Sequence, residues 1–166
     1  MIRVGLISAA SYAPTFNGDD VPRKAAMTHG PIFSSCFNGY DPAQLDAHAG
    51  EGKFPFSPVE QQFEGVRAVK IWDPLREAAE HLAAIVGIPE VCDTPEQCTE
   101  DVDAVIIPDD GSGSQYKYAV AALEKGLPTF VDKPLAMTAK EAMDAWQKDV
   151  ETEWAESGWK DKWGKG

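Results

Sequence analysis

The stretch VGLISAASYAP, residues 4–14, holds the first residues whose types and spacing could do chemistry. Val4, Leu6 and Ile7 read as a buried strand. The small residues behind it stand where a dinucleotide-binding domain turns its chain around a pyrophosphate. That turn is normally G-x-G-x-x-G/A: its glycines permit a tight turn, close approach of backbone to phosphate, and close packing of the next helix. Aligned on Val4 and Gly5, this chain offers Ser8, Ala10 and Ala13 instead. Close approach is partly kept, and Ser8 or Ser11 could donate a hydroxyl hydrogen bond. Asp73, after a second strand-like run, is a candidate for the adenosine ribose, with a helix N-cap as the alternative. Arg76, three residues on, could meet a 2′-phosphate. His81 is expected on a helix surface. His29 shares a long polar segment with Cys36 and Tyr40, and reaches the strand ends only if that segment folds over them. His29, Cys36 and His48 have no familiar metal-ligand spacing, so no metal site is expected.

The elements that must position these residues alternate between strand and helix patterns. A strand at 2–8 is followed by a long Gly-, Pro-, Asn- and Asp-rich insert, about 14–65, with short helices expected near 22–28, 42–48 and 58–64. Its polar start gives little sign of a long helix facing the phosphates, and Pro14 fits only the first turn of one. VRAVKIW is then a strand, and DPLREAAEHLAAIVG a helix with Asp73 at the N-cap, Pro74 at N1 and Gly87 as its stop. Leu75, Ala78, Ala79, Leu82 and Ile85 form its apolar face. EVC is a short strand, TPEQ a capped turn, VDAVIIP a buried strand, SGSQYKYAVAALEKG a helix and LPTFVD a strand. A last helix opens at the Thr138–Glu141 capping box and is expected to run to about 156, followed by a Trp- and Lys-rich tail at 157–166. Such alternation predicts a parallel sheet covered on both faces.

At 166 residues the chain is long enough for one domain with a real core. The formal charge of −12 repels phosphate backbones, so nucleic-acid binding is disfavoured. No apolar run is long enough to span a membrane or to serve as a signal peptide, and the three cysteines lack metal-type spacing. A cytoplasmic protein with reduced thiols is expected.

Residues 102–137, VDAVIIPDDGSGSQYKYAVAALEKGLPTFVDKPLAMT, resemble the N-terminal domain of the glucose–fructose oxidoreductase/inositol dehydrogenase (Gfo/Idh/MocA) family. VDAVIIP looks like its fourth strand, and AALEKGLPTFVDKPLA like its helix, Gly turn, fifth strand and EKP-type motif, with Asp132 for the usual Glu. VKIWDPLREAAEHLAAIVGIPEVCDTPEQ looks like its second βα unit and the path to the short helix before strand four. The resemblance covers strand one and most of 66–145.

The resemblance implies a three-layer Rossmann-like domain over 1–156, with a parallel sheet in the order 3-2-1-4-5, holding NAD or NADP. In the family a second, C-terminal domain holds the substrate. It also implies oxidation or reduction of a carbinol on sugars, cyclitols or similar small molecules. Lys133 matches the family lysine and Pro134 the proline after it; that lysine sits near the nicotinamide, where an ammonium polarises a developing alkoxide. Pro108, Asp109 and Asp110 end strand four beside the nicotinamide half, and Gln115 stands where many relatives carry a His. The family's acid/base Asp and His lie in the substrate domain, which this chain is expected to lack. Lys133 is thus the expected catalytic residue. Ser8, Ala10, Ser11, Asp73, Arg76, Pro108, Asp109, Gln115, Lys133 and Pro134 are the expected cofactor contacts. The alternative is a non-catalytic Rossmann-type subunit that joins copies of itself or a partner through the last helix and tail.

Overall fold

The computed structural model of the chain describes residues 1–14, 22–50, 53–110, 113 and 115–147. In chain order these form β1 (Ile2–Ile7), β2 (Ser11–Tyr12), β3 (Lys24–Ala25), α1 (His29–Asn38), α2 (Pro42–His48), β4 (Val66–Trp72) and α3 (Arg76–Val86). There follow β5 (Glu90–Val91), a 3-10 turn at Glu96–Thr99, β6 (Ala104–Ile107), α4 (Gln115–Glu124), β7 (Thr129–Val131) and α5 over 139–147. β1, β4, β5, β6 and β7 make one parallel sheet in the order β5-β4-β1-β6-β7. Counted along the sheet strands alone, that is the expected 3-2-1-4-5 order.

Alternation along the central strand separates the two core layers. Val4 and Leu6 join Ala68, Ile71 and the α3 face Ala78, Ala79, Leu82 and Ile85. Ile7 joins Val105, Ile107 and the α4 residues Ala119, Ala122 and Leu123 on the other side. Gly5 is required by the second layer, because a Cβ there would fall 2.0 Å from the Cys98 carbonyl oxygen of the 3-10 turn.

Between β1 and β4 the chain departs from expectation. α2 forms as read, with Asp41 accepting from the Ala43 and Gln44 N–H groups and Pro42 opening the helix. Residues 22–28 are not a helix; they contain β3, which pairs antiparallel with β2, and the helix α1 begins only at His29. Residues 58–64 are also not helical, and Phe63 there faces solvent. With no buried stripe, a helix of that length has nothing to stabilise it. Phe54, by contrast, is fully buried in the α3-side core.

α3 also starts later than expected. Its cap is Leu75 with no side-chain cap bond, so Pro74 precedes the first turn instead of opening it. Asp73 still accepts the Leu75 N–H at 2.8 Å, but most of its carboxylate is committed elsewhere, as described below. The tail 157–166 and the expected run of α5 to 156 lie outside the described residues. Among the described residues no helix is long and apolar enough to cross a membrane.

Candidate functional site

Because every strand of the main sheet is parallel, β1, β4, β6 and β7 all deliver their C-terminal ends to one edge. Ser8, Asp73, Pro108 with Asp109, and Asp132 with Lys133 follow those strands directly. This edge is where open α/β sheets bind ligands.

The turn after β1 is built around a carboxylate. Ser8 adopts a left-handed backbone, φ +56°, unusual for a residue with a side chain. Beyond it, the N–H groups of Ala10 and Ser11 both point at Asp73 Oδ2, at 2.8 and 3.1 Å. The Ser11 hydroxyl donates to Asp73 Oδ1 at 2.5 Å. Burial pushes the Asp73 carboxyl above the usual range, although the bonds from Ser11, Ala10 and Leu75 and the charge of Arg23 pull the other way. Besides the Leu75 N–H at the entry to α3, the Asp73 oxygens hold the β1 turn.

Arg23, which the sequence did not single out, completes the cluster. Its guanidinium donates to Asp109 Oδ1 at 2.8 Å and lies 3.3 and 3.4 Å from the hydroxyls of Ser8 and Ser11. Ser8 Oγ also donates to Asp109 Oδ1. The Arg23 side chain is only 4% exposed, and its buried Nε has no hydrogen-bond partner among the described residues. Gln115 donates through Nε2 to the Asp109 carbonyl at 2.8 Å, while its buried Oε1 has no partner among the described residues. Arg23 reaches this place through the β2–β3 ribbon, whose two-residue strands leave no period to read in the sequence.

The helix missing from the sequence reading is present in space. Thr28 caps α1, accepting from Gly30 N–H at 3.3 Å and donating through Oγ1 to the Ala9 carbonyl at 2.7 Å. Gly30 packs so tightly that a Cβ would lie 2.0 Å from the Ala9 oxygen. The close helix packing that the third glycine of the phosphate turn normally allows is thus supplied by Gly30, after the ribbon. Thr28 before Gly30 and Pro31 was the available signal: a cap residue followed by a first-turn proline.

The remaining expected residues form a more open rim. Lys133 is 73% exposed, with Nζ 3.9 Å from Asp110, and its bond to Pro134 is cis. Asp132 accepts the Lys133 N–H and pairs with His29 Nδ1, so the insert does fold over the strand ends. Partial burial raises the Asp132 carboxyl, but His29 and Lys133 outweigh it and hold the group below the usual value. Arg76 stands apart on the surface, bonded to Glu80 and Asp93. Pro108 is fully buried behind Asp109. The edge thus offers a buried charge cluster on one side and an exposed Lys, His and carboxylate group on the other. The second group can polarise and exchange protons with a hydroxyl.

A family model described as an oxidoreductase family with an NAD-binding Rossmann fold, GFO_IDH_MocA, matches residues 49–153. Over 92 residues the chain is 36% identical to scyllo-inositol 2-dehydrogenase (NAD(+)) of Bacillus subtilis (strain 168), a match covering 53% of this chain and 26% of that protein. Among solved structures, myo-inositol dehydrogenase from Lactobacillus casei in complex with NAD(H) and myo-inositol superposes with a TM-score of 0.61 at 20% identity. That match covers 92% of this chain and 34% of the other. UDP-N-acetylglucosamine 3-dehydrogenase from Acidithiobacillus ferrooxidans gives a TM-score of 0.57 at 15% identity, covering 91% and 34%. The chain therefore spans about a quarter of the curated relative and a third of these solved ones.

Proposed function

The chain belongs to the Gfo/Idh/MocA oxidoreductase family, and from that membership we propose that it is an NAD(P)-dependent oxidoreductase domain acting on a sugar, cyclitol or similar small hydroxy compound. The family is NAD-binding, and the inositol dehydrogenase neighbour was crystallised with NAD(H). The observation that carries the reading is the position of Lys133. The lysine of the DKP motif stands exposed at the C-terminal end of β7, with Asp132, Asp110 and His29 around it.

In this reading Lys133 is the catalytic residue, and its ammonium lowers the energy of negative charge developing on a substrate oxygen. Asp132 orients the His29 imidazole, which is placed to take or return the hydroxyl proton. Pro134, Pro108 and Gln115 shape the crevice behind them, and Arg76 remains exposed enough to reach a 2′-phosphate if NADP is used.

The β1 turn as folded does not fit the pyrophosphate of a dinucleotide. The Ala10 and Ser11 N–H groups are already bonded to Asp73, and Arg23 lies in the crevice between Ser8, Ser11 and Asp109.

The readings of a cytoplasmic location and of association belong to the same proposal. α5 presents Met143 and Trp146 largely to solvent, a surface suited to a second copy or a partner subunit. Light scattering of the wild type and of Trp146→Glu tests this, the variant being expected to shift toward monomer. The cofactor reading is tested by fluorescence titration with NADH and NADPH, and saturable binding is expected. A flat response from both the wild type and the Arg23 variants described next would overturn it.

A further inference from the structure

We propose that the phosphate turn of this chain is self-liganded: Asp73 occupies its anion seat, Arg23 locks that arrangement, and a dinucleotide enters only by displacing them. The inference rests on the family reading for the identity of the ligand, and concerns how access to that site is governed.

Two successive backbone N–H groups converging on one oxygen form the concave donor arrangement that elsewhere cradles phosphate. Here the oxygen is Asp73 Oδ2, with Ala10 and Ser11 as donors. The second carboxylate oxygen takes the Ser11 hydroxyl and the Leu75 N–H, so the anion in the seat is fully coordinated. A pyrophosphate has the same requirement and cannot share these donors.

Electrostatics points the same way. Among the described residues the buried charged groups at this turn are two carboxylates, Asp73 and Asp109, and one guanidinium, Arg23. These groups carry no surplus positive charge to offer an entering diphosphate, and the burial that strengthens the internal pairs equally strengthens repulsion of a further anion. Once Arg23 leaves, the Ser8 and Ser11 hydroxyls lose their guanidinium contacts and the space it filled opens to the edge of the sheet. Among the described residues Arg23 Nε and Gln115 Oε1 are buried without a hydrogen-bond partner, which fits a seat held shut at the expense of complete hydrogen bonding.

The test compares NADH affinity of the wild type with that of Arg23→Ala. Removing the guanidinium takes one charged partner from buried Asp109, which is costly. The double variant Arg23→Ala, Asp109→Asn therefore keeps the experiment usable if the single variant fails to fold. At least one of the two is expected to bind NADH about tenfold more tightly than the wild type, about 1.4 kcal/mol. Unchanged affinity overturns the inference while leaving the cofactor reading in place. Weakened binding does the same, and makes Arg23 a ligand of the phosphates instead. Absence of binding in all three proteins overturns both. Amide hydrogen exchange provides a readout independent of NADH: Ala10 and Ser11 are expected to be protected in the free wild type and to lose protection in Asp73→Ala. Rapid exchange at both positions in the wild type would show that the seat is empty, and the inference would fall.

Discussion

Gly30 lies against Ala9 so closely that a Cβ on Gly30 would sit 2.0 Å from the Ala9 carbonyl oxygen. This contact joins the end of β1 to the start of α1, and it supplies the close helix packing that the third glycine of a phosphate turn normally allows. Gly30→Ala is therefore expected to push the first turn of α1 off the sheet. It should cost about 1–3 kcal/mol, measured by urea unfolding. A cost below about 0.5 kcal/mol would mean that the helix shifts freely and that the contact does not hold it.

Thr28 ties the same junction through its hydroxyl, capping α1 and bonding the Ala9 carbonyl. Thr28→Val keeps the shape and removes both bonds, at an expected cost of about 1–2 kcal/mol. Thr28→Ser should recover most of the loss. Equal behaviour of the two variants in denaturant melts would argue against the hydroxyl.

Asp73 carries a pH signature. Its folded-state pKa lies above the ordinary value, so in the pH interval between the two the folded protein holds a proton that the unfolded chain has released, and above that interval the carboxylate is ionised in both. The stability this contributes is complete below the ordinary aspartate value and is lost as pH rises through the folded one. Relative to Asp73→Asn, the wild type should thus lose stability as pH is raised from about 4 upward. Urea midpoints across that range check the slope; a rising difference would mean that the ionised carboxylate is the favoured form.

Asp132 has the opposite sign. His29 and Lys133 hold it below the ordinary value, so its contribution is present above that value and fades as pH falls through the folded pKa. His29→Ala should move the Asp132 carboxyl up toward ordinary behaviour, as followed by carbon-detected NMR titration. An unmoved titration would remove His29 from the rim cluster.

Lys133 is mostly exposed, and among the described residues its ammonium makes a long ion pair to Asp110. Lys133→Ala should leave unfolding stability within about 0.5 kcal/mol of the wild type. Any dinucleotide-dependent polyol oxidation by the protein should nevertheless fall by about a hundredfold or more. A large loss of stability would make the residue structural instead.

The frame of the molecule was legible because it rests on local, periodic signals. Apolar runs such as VRAVKIW and VDAVIIP, and the α3 face from Ala78 to Ile85, report burial directly, and the DKP segment with its neighbours brought the family within reach. The start of α1 was missed although Thr28 and Pro31 mark it, because the polar stretch before them obscured where the crossover helix would resume. Arg23 was not legible at all. Its role depends on a ribbon of two short strands and on partners far away in the chain, Ser8, Ser11 and Asp109.

The sequence by itself determined the layered α/β architecture, since hydrophobic period and strand–helix alternation are properties of neighbouring residues; the order of the sheet and the residues expected at its C-terminal edge came from the family resemblance. What those edge residues hold was decided only in three dimensions. A carboxylate after a second strand reads the same in sequence whether it meets a ribose, a helix end or its own β1 turn. The choice depends on which donors converge on it, and folding aimed Ala10, Ser11 and Leu75 at Asp73.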